Sequence, residues 1–359
     1  MLALVNATIT ADAALALAGE RSWKMQPVTG VQAAVSEMPP ATRDSVRALI
    51  VEAEPVDGAL LAKLNGLELI ACLRSEPVNV DVAAATARGV PVLHTPGRNA
   101  EAVADFTLGL CLAAIRNIAV THHLIVSGDL TGAARSTEVA PGDAIWRPAD
   151  PDAPTPYVVY RGRQLSSLIV GVIGYGAVGQ AVARRFAGLV KAVHVTDPGV
   201  QPRTIEAAGF VPATLPALLA AADVVTIHAR SAAVIVGRNE LGRMRPGSVL
   251  INTARATVLD YDALGESLES GHLGAAALDV FPQEPLPATS PLLRQRGLTL
   301  TPHLAGAAAE VADRQSEILV AAVRGLYDGR AWDGLPIRNQ ELREAWSARH
   351  VPSRQRSAR

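Results

Sequence analysis

Arg255, Glu284 and His303 are the residues of this chain best suited to redox chemistry on a carbonyl. Each falls at or just past the end of a strand-like apolar run, GSVLINTA, GAAALDVF and LTLTPHL, and open parallel α/β sheets bind ligands outside those ends. Hydride transfer to a carbonyl builds negative charge on oxygen, so the site needs a cation near that oxygen and a proton donor. Arg255 would orient the carboxylate and carbonyl of a 2-oxo acid. His303 would protonate the nascent alkoxide and, in reverse, remove the hydroxyl proton. A carboxylate stabilises a protonated imidazole beside it, and Glu284 lies in the loop after the preceding strand, placed to do so. Asp279 ends that strand and is expected to hold the nicotinamide amide, whereas His228, ending AADVVTIHA, reads as structural. Each residue has a plainer reading: Arg255 paired to a structural carboxylate, Glu284 idle in the turn-rich PQEPLP, His303 a core histidine. Their shared position at strand ends, behind a dinucleotide unit, favours catalysis.

That unit is LIVGVIGYGAVGQAVARRFAGLVKAVHVTDP, residues 168–198. An apolar strand runs into Gly174, Gly176 and Gly179, a helix follows, and a second strand stops at Asp197, eighteen residues past Gly179. One glycine makes the turn, one lets backbone approach a pyrophosphate, and one lets helix pack on strand. The N-H groups of Ala177, Val178 and Gly179 at the helix start would hold the pyrophosphate. Asp197, followed by Pro198, would accept hydrogen bonds from the adenosine ribose and repel a 2′-phosphate, so NAD is the expected cofactor, with Arg203 the nearest later cation. Thr253, after the strand that carries Arg255, completes the expected nucleotide lining.

The 359 residues exceed one typical domain. Thirty-three basic residues against thirty-four acidic ones show no excess that would suggest nucleic acid or an anionic membrane as partner. Cys72 and Cys111 sit in apolar runs without metal-ligand spacing, which reads as reduced thiols in a cytoplasmic protein. No basic leader precedes an apolar stretch, and no segment stays apolar for the roughly 20 residues that span a bilayer. Over residues 1–98 short apolar runs alternate with helical ones (RALIVEA, DGALLAKL, LELIACLRS, DVAAATARG, PVLHT). Such alternation implies an α/β, doubly wound parallel sheet with helices on both faces. One long helix is expected from Asn99 through Val126, as an interdomain spine. Prolines 141, 148, 151, 154 and 156 mark a loop or arm at about 127–162. A helix over about 307–327 returns to the first domain, and 336–359 reads as a basic, flexible tail.

INTARA, AALDVFPQEP and LTPHLAG, in this order, together with VDVAAATARGVPVLHTPGRNAEAVADFTLGL, resemble the D-isomer-specific 2-hydroxyacid dehydrogenases. The resemblance covers most of the chain and implies two Rossmann-like or flavodoxin-like domains. A substrate domain would be split between 1–98 and 306–335, and an NAD domain, 99–305, inserted into it. It also implies a homodimer formed through the NAD domains, and carries the Arg, Glu and His roles onto Arg255, Glu284 and His303. Formate dehydrogenases of the same fold have glutamine at the Glu284 position, so this chain does not resemble that branch.

Two departures stand out. Many relatives bind the substrate carboxylate with a glycine-rich loop, and here the segment is RSEPVNVD. Backbone N-H groups of Ser75 to Val78 would form an anion nest in which Pro77 has none to donate and Glu76 repels an anion unless it meets a substrate cation. Ser75, Glu76, Val78, Asn79, Arg98 and Arg255 are therefore the expected substrate contacts. Ala256 also stands where glycine is usual. The expected function is NAD-dependent interconversion of a D-2-hydroxy acid and its 2-oxo acid. The rivals are a non-catalytic NAD sensor or corepressor and a dehydrogenase of a phosphonate or phosphite.

Overall fold

The computed structural model describes residues 1–131, 154–328 and 332–350. The chain divides into two compact units, Met1–Asn99 with Ala308–Arg359, and Ala100–Ala307. Both are built on parallel sheets whose central strands are buried on both faces, the pattern demanded when helices cover a sheet from two sides.

The first unit has five strands, β1 (Leu2–Asn6), β2 (Lys24–Pro27), β3 (Val46–Val51), β4 (Leu69–Cys72) and β5 (Val92–His94), in the order β2-β1-β3-β4-β5. Three of the helices between them start at side-chain caps: Thr10 accepts from Ala13 N, Asp57 from Leu60 N and Asp81 from Ala84 N. One face buries Leu60 and Leu61 of helix Gly58–Ala62 and Leu64 just after it, and the other buries Leu319, Val323 and Leu326 of the returning helix Glu310–Tyr327.

The second unit has seven, β6 (Ile169–Ile173), β7 (Ala192–Thr196), β8 (Val211–Pro212), β9 (Val224–Ile227), β10 (Ser248–Asn252), β11 (Leu273–Leu278) and β12 (Leu298–Leu300). Their order, β12-β11-β10-β9-β6-β7-β8, reverses direction between β6 and β9, and at such a switch point the two strand ends leave a ligand crevice.

Two expectations need correction. The long helix is two, Ala100–Ile115 and Ile118–Val126, bent by 67°. Asn117 between them takes a left-handed backbone (φ 56°), which an α-helix cannot propagate. The first of the pair belongs to the second unit, where Val103, Ala104, Thr107, Leu110 and Cys111 are buried. Among the described residues no single helix is long and apolar enough to cross a membrane. The supposed tail is ordered from Pro336 to His350: His94 N donates to Pro336 O, Arg338 N to Val92 O, and Val92 N to Asn339 Oδ1. It ends in a helix, Arg343–His350, whose Trp346 is buried against Tyr327 with ring centroids 5.3 Å apart. One indole supplies enough apolar area to dock a helix that is otherwise polar. The body of the expected arm, 132–153, and the arginine-rich end, 351–359, lie outside the described residues.

Candidate active site

At the end of β6 the three glycines occupy three different environments. Gly174 has φ +94°, and a Cβ there would meet Ala229 N at 2.6 Å and the His228 carbonyl carbon at 2.8 Å. A side chain at Gly179 would run into the Gly174 carbonyl oxygen. Gly176 faces open space, with nothing within 4 Å of a built Cβ. It is the N-cap of helix Ala177–Phe186 and offers no side-chain cap, and Gln180 N makes the first helical bond, to Gly176 O. The N-H groups of Ala177, Val178 and Gly179 therefore point off the helix end, beside an exposed glycine that leaves room for an anionic group. Asp197, at the end of β7, accepts from Tyr175 N at 2.6 Å and Gly199 N at 2.8 Å. It fixes the turn while staying half-buried, and Pro198 beside it is exposed. These features fit a dinucleotide: a bare glycine against open space, an uncapped helix start and a carboxylate at the next strand end.

His228 ends β9 in the same crevice. Its Nε2 lies 2.8 Å from Thr226 Oγ1, its Nδ1 is buried with no partner among the described residues, and burial pushes the imidazole down to about 3. It is a neutral, structural ring at neutral pH.

The Arg255, Glu284 and His303 loops follow β10, β11 and β12. Buried Asn252, at the end of β10, accepts from Ala254 N at 3.0 Å and donates to Arg255 O at 2.9 Å. Arg255 is thereby held extended (φ −146°, ψ 153°) and exposed, its Nη1 donating to Ala254 O. Ala256 opens a short 3₁₀ turn, a right-handed conformation that does not require glycine. Thr253 is buried with its hydroxyl 3.2 Å from that of Thr107.

Glu284 Oε1 accepts from Phe281 N at 2.9 Å, and Oε2 lies 2.7 Å from His303 Nδ1. Burial raises the Glu284 carboxyl, but hydrogen bonds from His303 and Phe281 N and the charges of His303 and Arg255 outweigh it and hold the group below its usual range. His303 has φ 56°, a left-handed backbone that costs an L-residue roughly 1–2 kcal/mol. Asp279 maintains it. This carboxylate, the one expected near the nicotinamide amide, is fully buried and anchors the histidine segment: Oδ1 accepts from Thr301 Oγ1 and Leu304 N, Oδ2 from Ala305 N. The sequence reading missed Asn252 as the brace of the arginine turn. Its one signal is an amide at a strand end, where Asn and Asp close turns.

The family model "D-isomer specific 2-hydroxyacid dehydrogenase, NAD binding domain" matches residues 153–305. YoaD of Bacillus subtilis (strain 168), provisionally named a 2-hydroxyacid dehydrogenase, is 30% identical over 85% of this chain and 83% of its own. This chain belongs to the D-isomer specific 2-hydroxyacid dehydrogenase family. The glyoxylate reductase of Thermofilum pendens (strain DSM 2475 / Hrk 5) is 30% identical, over 79% of this chain and 80% of its own. The crystal structure of TT0316 protein from Thermus thermophilus superposes with a TM-score of 0.68 at 29% identity, covering 94% of this chain and 98% of that one. The chain spans about half the length of the D-3-phosphoglycerate dehydrogenases it also matches, 48% for that of Mycobacterium leprae (strain TN). Membership makes the protein an NAD-dependent oxidoreductase, and the matched residues 153–305, which include the glycine turn, correspond to the family's NAD binding domain.

In this dehydrogenase the expected substrate residues of the first unit are largely tied into its own framework. Arg98 is held by Glu52, at 2.5 Å, and by Gln315. The Asn79 amide donates to Glu54 O at 2.7 Å and accepts from the Cys72 thiol. Ser75 O lies 2.9 Å from His94 Nδ1, and Glu76 lies 3.9 Å from Arg338. Val78 exposes its side chain but donates its N-H to Glu76 O at 2.9 Å, so it drops out of the expected anion nest.

Proposed function

We propose that this dehydrogenase interconverts a small 2-oxo acid and its D-2-hydroxy acid, and that it works as a cytoplasmic homodimer. The observation that carries the reading is the His303 ring tethered through Nδ1 to Glu284 at 2.7 Å. Its Nε2 has no partner among the described residues, and the side chain is half exposed. An imidazole held on one side by a carboxylate and open on the other is arranged to give up and retake a proton at Nε2. Arg255, whose charge already acts on Glu284, supplies the cation for a substrate carboxylate and a developing alkoxide. Bound NADH supplies the hydride. The match to a glyoxylate reductase over 79% of this chain and 80% of that one supports a compact 2-oxo acid as substrate.

Two neighbouring apolar faces of the second unit support the dimer. Helix Ile118–Val126 buries none of its residues and exposes Ile118, Ile125 and Val126. Tyr157, Val158 and Val159 are exposed on the short helix Pro156–Val159, which Asn117 joins by donating to Tyr160 O. Such clustered apolar exposure marks an interaction surface. Buried, free Cys72 and Cys111, with thiols pushed by burial up to about 11 and about 12, fit a reducing compartment.

The test is NADH oxidation with glyoxylate and a panel of larger 2-oxo acids. Steady turnover is expected, falling roughly 10²- to 10⁴-fold in His303→Ala with NADH affinity kept. NADH binding without turnover of any 2-oxo acid would overturn the reading, and a monomer in sedimentation equilibrium would overturn the dimer.

A further inference from the structure

Tyr261 opens helix Tyr261–Glu269, directly after the turn that carries Arg255. Its ring is partly buried against the second unit's core, and its hydroxyl donates to Val280 O at 2.5 Å. Val280 O and Phe281 N belong to one peptide group, and Phe281 N is the donor to Glu284 Oε1 at 2.9 Å. A peptide group is planar and rotates as a unit. Fixing its carbonyl on one side therefore fixes the direction of its N-H on the other, and the two hydrogen bonds polarise each other. Beyond Glu284 the chain of bonds continues through Oε2 to His303 Nδ1 at 2.7 Å.

We propose that Tyr261 is a positioning residue for the Glu284–His303 pair, acting through the Val280–Phe281 peptide group. The inference rests on the catalytic reading of that pair. Burial raises the Tyr261 hydroxyl above its ordinary range, the nearby Asn252 amide opposes this and the charge of Glu284 adds to it, so the group stays a donor. Asn252 is the same side chain that braces Arg255. One tyrosine thus stands between the arginine turn and the carboxylate turn, and it touches no reacting atom. Without the hydroxyl the peptide plane is free to tilt, Phe281 N-H loses its aim, and the Glu284 carboxylate loses part of what stabilises its charge. The other charged groups acting on that carboxylate, His303 and Arg255, are left in place.

The experiment compares the full chain with Tyr261→Phe, which keeps the ring and removes one oxygen. Glutamate is labelled with ¹³C at the carboxyl, the Glu284 signal is assigned from its absence in Glu284→Gln, and both proteins are titrated without cofactor or substrate. The Glu284 midpoint is expected to rise in Tyr261→Phe, and NADH-dependent turnover of a 2-oxo acid to fall roughly tenfold, the effect of one lost hydrogen bond. KM and NADH affinity should hold. An unchanged Glu284 midpoint in a folded Tyr261→Phe protein overturns the proposal, because a merely structural hydroxyl would lower the unfolding temperature and leave the carboxyl where it was. The titration needs no turnover. If the unaltered chain reduces no 2-oxo acid, the functional reading fails on its own, and the role of Tyr261 toward the pair is still decided by the carboxyl signal.

Discussion

Glu284→Gln separates the charge of the carboxylate from its shape. The amide keeps an oxygen for Phe281 N but turns the contact with His303 from a hydrogen bond to a charged carboxylate into one to a neutral group. A hydrogen bond to a charged group contributes about 1.5–3 kcal/mol, and the Glu284 and His303 side chains are 37% and 49% exposed, so solvent screening favours the low end. About 1.5–2 kcal/mol in the transition state corresponds to a roughly 10- to 30-fold loss of turnover at neutral pH. The acid limb carries the sharper signature. The folded carboxyl titrates below its ordinary range. Its contribution is therefore complete above the unfolded value of about 4.3 and disappears only as pH falls through the lower folded value. Turnover of the unaltered enzyme should hold down to that region and then drop, whereas Glu284→Gln should start lower and lack that limb. The assay is initial-rate NADH oxidation with glyoxylate from about pH 4 to about pH 9, with NADH affinity from fluorescence quenching. Equal turnover of the two proteins at neutral pH, or an NADH affinity that falls by the same factor as turnover, would refute the assignment of Glu284 to the proton-transfer pair.

Asp197→Ala removes the carboxylate that would repel a 2′-phosphate, so the NADH to NADPH ratio of kcat/KM should fall at least about tenfold, as expected for a lost charge repulsion. An unaltered ratio would show that Asp197 serves only the Tyr175 and Gly199 N-H groups it now holds. Trp346→Ala empties a fully buried indole site and should cost about 3–5 kcal/mol. A urea midpoint that stays put would mean the C-terminal helix contributes nothing to the first unit.

The glycine unit and the strand-end residues were legible because their signals are local: an apolar run, a turn that only glycine can make, a charge just past a strand. Asn117 looked like any helix-surface amide, and nothing in the apolar run around it marks the left-handed backbone that breaks the helix. The residues from Pro336 onward read as a tail because their apolar content is sparse, yet Ile337 and Trp346 are both buried. Hydropathy averages over a window, while docking can depend on two side chains. Asp279 was visible as an acid at a strand end, but its three donors come from Thr301 to Ala305, a pairing set by strand adjacency rather than by spacing in the chain. Tyr261 escaped for the same reason, since its acceptor lies nineteen residues away on another loop.

The ladder that Pro336 to Asn339 forms with β5 has a consequence for handling the protein. β5 is the outermost strand of its sheet, and Leu93 pairs in antiparallel sense with Ile337, so this short segment covers a row of main-chain groups that would otherwise recruit strands from other molecules. A chain cut back to Tyr327 would keep every strand of both sheets and still tend to aggregate.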